Sequence, residues 1–250
     1  MKKMVFFDVD GTFLPPGHDK PLDSTLKSMK ELKDNDIGTA LCTGRHLKEL
    51  EELGLMNLPF DGYVLLNGQL CLDGDLNRIF SDPITGRDRE EILELFEKRE
   101  IPTVILEEKR YYTNFINDDI IRAQADVGSP VQDIGEYEGA DILMAAVYTD
   151  KDIKFTSLRT GRWNKWAADV FPKDGSKSRG IMKMMEHFGI SREDTVMFGD
   201  AENDIDVIRL AGVGVAMGNA WPETKAAADL VADDADKDGI YKALKHLGLI

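Results

Sequence analysis

Cysteine is nearly absent from this chain of 250 residues: there are two, Cys42 and Cys71, with no zinc-ligand spacing. Each lies inside an apolar run, so both read as reduced thiols of a hydrophobic core. Long apolar runs are missing too. The longest, Ile142 to Tyr148, is far shorter than the roughly 20 residues that cross a bilayer. Positive charge is scarce, with 31 Lys and Arg against 46 Asp and Glu, a net charge of −15. Such a surface repels nucleic acid and anionic membrane, which are held by basic patches. It also repels phosphate esters, so any phosphate site must carry its own cations. The opening Met1-Lys2-Lys3 has the charge of a signal sequence, but the apolar stretch Met4 to Phe7 stops at Asp8, too soon for a signal core. These absences lead us to expect a soluble, cytoplasmic protein without nucleic-acid or membrane partners.

What is present is an ordinary globular composition, 42% hydrophobic, in a chain long enough for one large domain or two small ones. Met4 to Phe7 reads as a buried strand. Leu26, Met29 and Leu32 mark a helix, Ile37 to Cys42 a second strand, His46 to Leu53 a helix, and Tyr63 to Leu66 a third strand stopped by Asn67-Gly68. That alternation predicts a parallel α/β sheet. It resumes near the end, with a helix through Ile181, Met184, Met185 and Phe188, then strands at Val196–Phe198, Val213–Met217 and Val231, a helix at Ile205–Ala211 and a last helix from Gly239. Between the two portions the texture is mixed. A charged helix near 87–99 precedes strands at Thr103–Leu106 and Tyr111–Phe115, a polar helix, a strand at Ile142–Thr149 and one Trp-containing strand near 162–171. The spacing predicts a discontinuous core, residues 1–81 and 173–250, with an inserted α+β block at 82–172.

Four clusters each fall just past a predicted strand, and ligands of open α/β sheets gather at the carboxyl ends of strands. In Asp8-Val9-Asp10-Gly11-Thr12, residues two apart on a strand would face the same way, pairing two carboxylates. Such a pair suits a nucleophile and an acid, though an acid pair before Gly is also a common turn. Thr43-Gly44-Arg45 offers a hydroxyl and backbone N–H groups for an anion, or merely enters a helix. In Gly175-Ser176-Lys177 a lysine at a helix start opposes the helix dipole, which an anionic ligand would offset; a surface lysine is the plainer alternative. Gly199-Asp200-Ala201-Glu202-Asn203-Asp204 supplies hard oxygens of the kind Mg²⁺ takes, or a capped polar loop. The acidic stretch Asp229 to Asp238 reads as a solvated loop and helix cap.

Taken together, these four clusters resemble the motifs of the haloacid dehalogenase (HAD) superfamily, in its class IIB, Cof-like branch. Asp8-Val9-Asp10-Gly11-Thr12 resembles the first motif, Thr43 the second, Lys177 the third and Gly199-Asp200-x-x-Asn203-Asp204 the fourth. The likeness spans the whole chain and includes Asn67-Gly68 and the position of the insert. Phe13 stands where Leu is usual, and Ser178-Arg179 separates Lys177 from Gly180 where the family often has Gly next to Lys.

The resemblance implies a HAD-like Rossmannoid core with a mostly parallel sheet and an inserted α+β cap. It implies a phosphatase in which Asp8 forms an aspartyl-phosphate and Asp10 is the general acid and base. Mg²⁺ would be held by Asp8, Asp10 (through its carbonyl) and Asp200. Thr43, Gly44, Lys177 and Asn203 would bind the phosphoryl oxygens, with Asp204 ordering the metal shell or Lys177. The expected partner is a small phosphorylated metabolite, a sugar phosphate, phosphoglycolate or similar, handled by a monomer or homodimer. Asp10 argues against the phospho-aspartate pumps, which carry Thr there. A phosphomutase of the same fold is the first alternative, and a phospho-accepting signalling module a more distant one. In the insert, Arg159, Arg162, Trp163, Asn164, Lys165 and Trp166, with Tyr111, Tyr112 and Asn114, are candidates to read the substrate. Trp163 and Trp166 alternatively pack the cap sheet, and being three apart at most one of them reaches the pocket.

Overall fold

The computed structural model describes residues 2–250. In chain order its elements are β1 (Lys3–Phe7), α1 (Asp23–Asp34), β2 (Ile37–Cys42), α2 (Leu47–Glu52), β3 (Gly62–Leu65), β4 (Leu70–Asp73), β5 (Arg78–Ser81), α3 (Gly86–Lys98), β6 (Thr103–Leu106), β7 (Tyr111–Thr113), α4 (Asp118–Asp126), β8 (Met144–Tyr148), β9 (Leu158–Asn164), β10 (Ala167–Pro172), α5 (Lys177–Phe188), β11 (Thr195–Gly199), α6 (Ile205–Leu210), β12 (Val213–Ala216), α7 (Pro222–Ala227), β13 (Leu230–Val231) and α8 (Gly239–His246). The chain divides into two compact units. One gathers the residues up to Arg45 with Glu49–Phe80 and Ser176–Ile250; the other holds His46–Lys48 and Ser81–Gly175.

The first unit is built on a sheet ordered β13-β12-β11-β1-β2-β3-β4-β5. The pairs β12·β13, β11·β12, β1·β11, β1·β2 and β2·β3 are parallel, and β3·β4 is antiparallel. A parallel strand covered on both faces must be apolar throughout, and Met4, Val5, Phe6 and Phe7 are all buried. Phe7 stacks on Phe198 and tilts against Phe13. Strand order reverses on either side of β1, so the carboxyl ends of β1 and β11 flank the switch point where doubly wound sheets bind ligands. Cys42 and Cys71 are free thiols in this core, and burial pushes Cys71 up to about 12.

Several elements differ from the sequence expectation for identifiable reasons. The buried face of α1 is Thr25, Ser28, Met29 and Leu32, while Leu26 is exposed. Positions three apart drift around a helix of 3.6 residues per turn, and the true stripe follows i, i+3, i+4, i+7. The single Trp-containing strand is a hairpin of β9 and β10, turned at Lys165-Trp166 where Asn164 Oδ1 accepts from Trp166 N. That side-chain turn carries no Gly or Pro to announce it. The β4 and β5 strands and helix α7 are additional.

The second unit is an antiparallel sheet ordered β7-β6-β8-β10-β9. Ile92 and Phe96 of α3 pack with Ile105, Ala145 and Val170 in its core. Trp163 is half-exposed, donating from Nε1 to Asp169 Oδ1. The rings of Trp163 and Tyr148 meet edge to face, and the Arg122 and Lys165 cations lie over Trp166. Arg162 is tied to the carbonyls of Thr149, Lys165 and Lys151.

Candidate active site

The chain leaves β1 at Phe7 with Asp8 N donating to Phe198 O, which pins the first residue after β1 to the end of β11. Asp8 is buried. Two residues on, the backbone has already turned at Gly11, where φ is +79°. Asp10 is therefore off the strand and exposed, and the pairing of side chains two apart does not apply to it. Its carboxylate is gripped by Arg45, with Nε donating to Oδ2 and Nη2 to Oδ1, both at 2.8 Å. Fork-to-carboxylate pairing of this kind fixes orientation as well as charge. Glu49 lies on the other side of the same guanidinium, 3.6 Å away.

Lys177 opens α5, behind the Ser176 cap whose side chain accepts from Arg179 N. Lys177 is fully buried and donates to Asp8 Oδ1 at 2.6 Å and to Asp204 Oδ1 at 2.7 Å. Its unfavourable place on the helix dipole is thus offset by two carboxylates. Asp204 is also wholly buried, and its Oδ2 accepts from Asp200 N and Ala201 N. Both of its oxygens are engaged, so it orders Lys177 and the loop after β11. Asp200, which follows β11 directly, accepts at Oδ1 from Thr12 Oγ1 at 2.9 Å. A Cβ at Gly11 would stand 2.3 Å from Asp200 Oδ2, so only glycine admits this approach.

Thr43 is buried beyond β2, its Oγ1 accepting from Arg45 N at 3.1 Å. Helix α2 starts only at Leu47, so Thr43 and Gly44 lie in the loop before it rather than at its first turn. Asn203 is exposed, and its Nδ2 donates to Asn67 Oδ1 at 3.2 Å. The sequence did not point to Arg45 as the holder of Asp10, and Asn67 read there only as a strand stop and part of the family likeness.

The electrostatics follow from burial. Burial pushes the Asp8 carboxyl well above the usual carboxylate range; the charges of Asp204 and Asp200 add to this and Lys177 opposes it. Asp200 is pushed up to about 7 by burial and by Asp204, against the Thr12 hydrogen bond and Lys177. Burial alone would lower the Lys177 ammonium, yet Asp204 and Asp8 raise it above its ordinary value. Asp8 and Asp204 share the Lys177 ammonium and Asp200 stands beside them, so three acids face one buried cation. Oxygens of Asp8, Asp200 and Asp204 lie within 4.8 Å of one another, an all-oxygen set able to hold a hard metal cation. The Asp10 carboxylate is not in that set.

Hard oxygen donors and a buried ammonium thus meet at the switch point of a parallel α/β sheet. The chain belongs to the haloacid dehalogenase-like hydrolases, whose family model matches residues 5–244. A Bacillus subtilis protein named "Putative phosphatase YkrA" is 33% identical to it, the match covering 99% of this chain and 98% of that one. Among solved structures, the HAD subclass IIB sugar phosphatase BT4131 superposes with a TM-score of 0.85 at 31% identity, with all of both chains covered. The phosphatase BT1666 of Bacteroides thetaiotaomicron gives 0.88 at 29% identity, covering 100% of this chain and 96% of that one. The protein is accordingly a phosphatase of the HAD superfamily, in its IIB, Cof-like branch. Among the described residues, no helix is long and apolar enough to cross a membrane.

Proposed function

We propose that the protein hydrolyses a small phosphate monoester, a sugar phosphate or similar metabolite, through an aspartyl-phosphate on Asp8. The observation that carries this reading is the buried Lys177 ammonium shared by Asp8 and Asp204 beside Asp200. Lys177 occupies Oδ1 of Asp8, so the second carboxylate oxygen is the one to attack phosphorus. As that P–O bond forms, the bond to the ester oxygen breaks, and Asp10, released from Arg45 and protonated from solvent, gives the departing oxygen its proton. Asp10 then takes a proton from the water that cleaves the acyl phosphate, releasing inorganic phosphate and restoring Asp8. A carboxylate nucleophile splits one difficult displacement into two easier ones.

Thr43, Gly44, Lys177 and Asn203 hold the phosphoryl oxygens in this reading, and positioning with charge compensation supplies most of phosphoryl-transfer catalysis. Asp8, the Asp10 carbonyl and Asp200 would hold Mg²⁺, with Asp204 in support. When bound there, the ion would supply the positive charge that lets an anionic nucleophile meet an anionic phosphate. Substrate selection is assigned to residues 82–172 and the chemistry to 1–81 and 173–250, because every motif residue belongs to the latter segments. The BT4131 likeness favours a sugar phosphate.

Phosphate release from a panel of phosphorylated metabolites, with Mg²⁺ and with EDTA, tests this. Asp8→Asn abolishes turnover and Asp10→Asn lowers it about 10²-fold, the scale of lost acid–base catalysis. Near-normal turnover by Asp8→Asn would overturn the mechanism. Phosphate exchange that requires a sugar bisphosphate would instead identify a mutase.

A further inference from the structure

The turn Leu66–Gly68, between β3 and β4, stands outside the motifs that the proposed mechanism uses, yet three of them touch it. All three of its residues lie at positive φ, Leu66 at 53°, Asn67 at 53° and Gly68 at 91°. Glycine adopts this region freely, asparagine at modest cost and leucine only under constraint. Backbone held there by its surroundings clusters at functional sites. An ordinary strand-ending Asn-Gly turn would leave its side chain in water, but Asn67 is only 5% exposed.

Each residue of the turn's Asn-Gly pair meets a different part of the site. Asn67 N donates to Thr43 O at 3.1 Å. The Asn67 side chain lies against Gly44, where an added Cβ would come within 3.2 Å of it. Asn67 Oδ1 accepts from Asn203 Nδ2, a residue 136 positions away in the chain. At Gly68, a Cβ would stand 2.1 Å from the carbonyl oxygen of Ser176, the cap residue directly before Lys177. The segments bearing Thr43, Lys177 and Asn203 are thus gauged against one strained turn.

We infer that Asn67 is a positioning residue for phosphoryl transfer, holding the otherwise exposed Asn203 amide in place and tying it to the Thr43-Gly44 loop. The inference rests on the reading that Asn203 and Thr43 bind phosphoryl oxygens. Asn67 acts through Asn203, so the two side chains share one effect.

The test is a double-mutant cycle of Asn67→Gly and Asn203→Ala, read in kcat, KM and inhibition by inorganic phosphate. Glycine keeps the left-handed backbone and deletes only the amide; Asn67→Ala serves as an independent truncation. Asn67→Gly lowers kcat roughly tenfold and weakens phosphate inhibition by a similar factor, as misplaced binding groups do. Its melting temperature stays within about 4 °C of the parent. The double variant is no worse than Asn203→Ala alone. Parental kcat/KM and phosphate inhibition in both Asn67 truncations would overturn the inference, as would losses that multiply in the double variant. Turnover by the Asp8→Asn variant is a separate result: if that variant stays active the aspartyl-phosphate reading fails, while phosphate inhibition still reports whether Asn67 and Asn203 are coupled.

Discussion

Lys177 and Asp204 form the closed side of the site: the ammonium donates to Asp204 at 2.7 Å with both side chains buried, and reaches Asp8 at 2.6 Å from the same nitrogen. Removing one member of a buried pair leaves charge without compensation, at a cost of about 3–5 kcal/mol. Lys177→Met is therefore expected to abolish turnover and to lower the urea midpoint markedly at pH 7. The loss shrinks at pH 5, because burial already pushes the Asp8 carboxyl upward and a proton there replaces the missing cation. Parallel urea titrations at the two pH values measure this; an unchanged midpoint would show that the pair contributes nothing.

The acidic cluster of Asp8, Asp200 and Asp204 gives stability a pH dependence that a bound cation would change. Asp200 is pushed to about 7 and Asp8 is raised as well. A group whose pKa is higher in the folded protein than in the unfolded chain contributes stability that is complete below the unfolded value, near 3.8, and lost as pH rises through the folded one. In EDTA the protein thus loses stability from about pH 4 upward, until pH has passed about 7. Mg²⁺ held by the deprotonated carboxylates, as proposed above, would flatten that slope, and its affinity would rise with pH. Melting curves across this range, with and without Mg²⁺, are the check. Equal slopes in both series would count against a metal on these residues.

Gly11 is expected to tolerate no side chain. Its φ of +79° and the 2.3 Å approach to Asp200 Oδ2 mean that Gly11→Ala must move either the loop or the carboxylate. Disturbing the support of a metal site typically costs about 10- to 100-fold, and roughly that loss of Mg²⁺ affinity should appear in calorimetry. Affinity within about twofold of the parent would mean that Asp200 is not a ligand.

His46 gives the second unit its own acid sensitivity. Its Nδ1 accepts from Lys48 N and its Nε2 donates to Glu107 O, so the buried ring is neutral and burial pulls its pKa down to about 4. The depressed value means that its contribution is whole above the unfolded value of 6.5 and is lost as pH falls through about 4. That amounts to about 3 kcal/mol at most. Urea titrations at pH 7, 5.5 and 4 should show the decline, and His46→Gln should reduce its slope.

Much of the first unit is legible in the sequence because local patterns decide it. Ile37 to Cys42 and Met4 to Phe7 are unbroken runs with few polar positions, and such runs are what a parallel strand buried on both faces requires. The β9–β10 hairpin was not legible, since its turn depends on the Asn164 side chain reaching Trp166 N. Nor was the exposure of Leu26, which depends on which face of α1 the sheet covers.

The residues of the site divide in the same way. Sequence alone determined which chemistry is available: carboxylates after β1 and β11, a hydroxyl after β2, a lysine at the head of α5, and an acidic balance that demands local cations. Only the tertiary structure decided how those groups pair. It gave Lys177 to Asp8 and Asp204, Asp10 to Arg45, and Asn203 to Asn67. The partners lie far apart in the chain, 169 residues for Lys177 and Asp8, and no local pattern records such a distance. Pairing is settled by which strand ends the sheet order brings side by side, and by the cost of burying a charge without its counterpart.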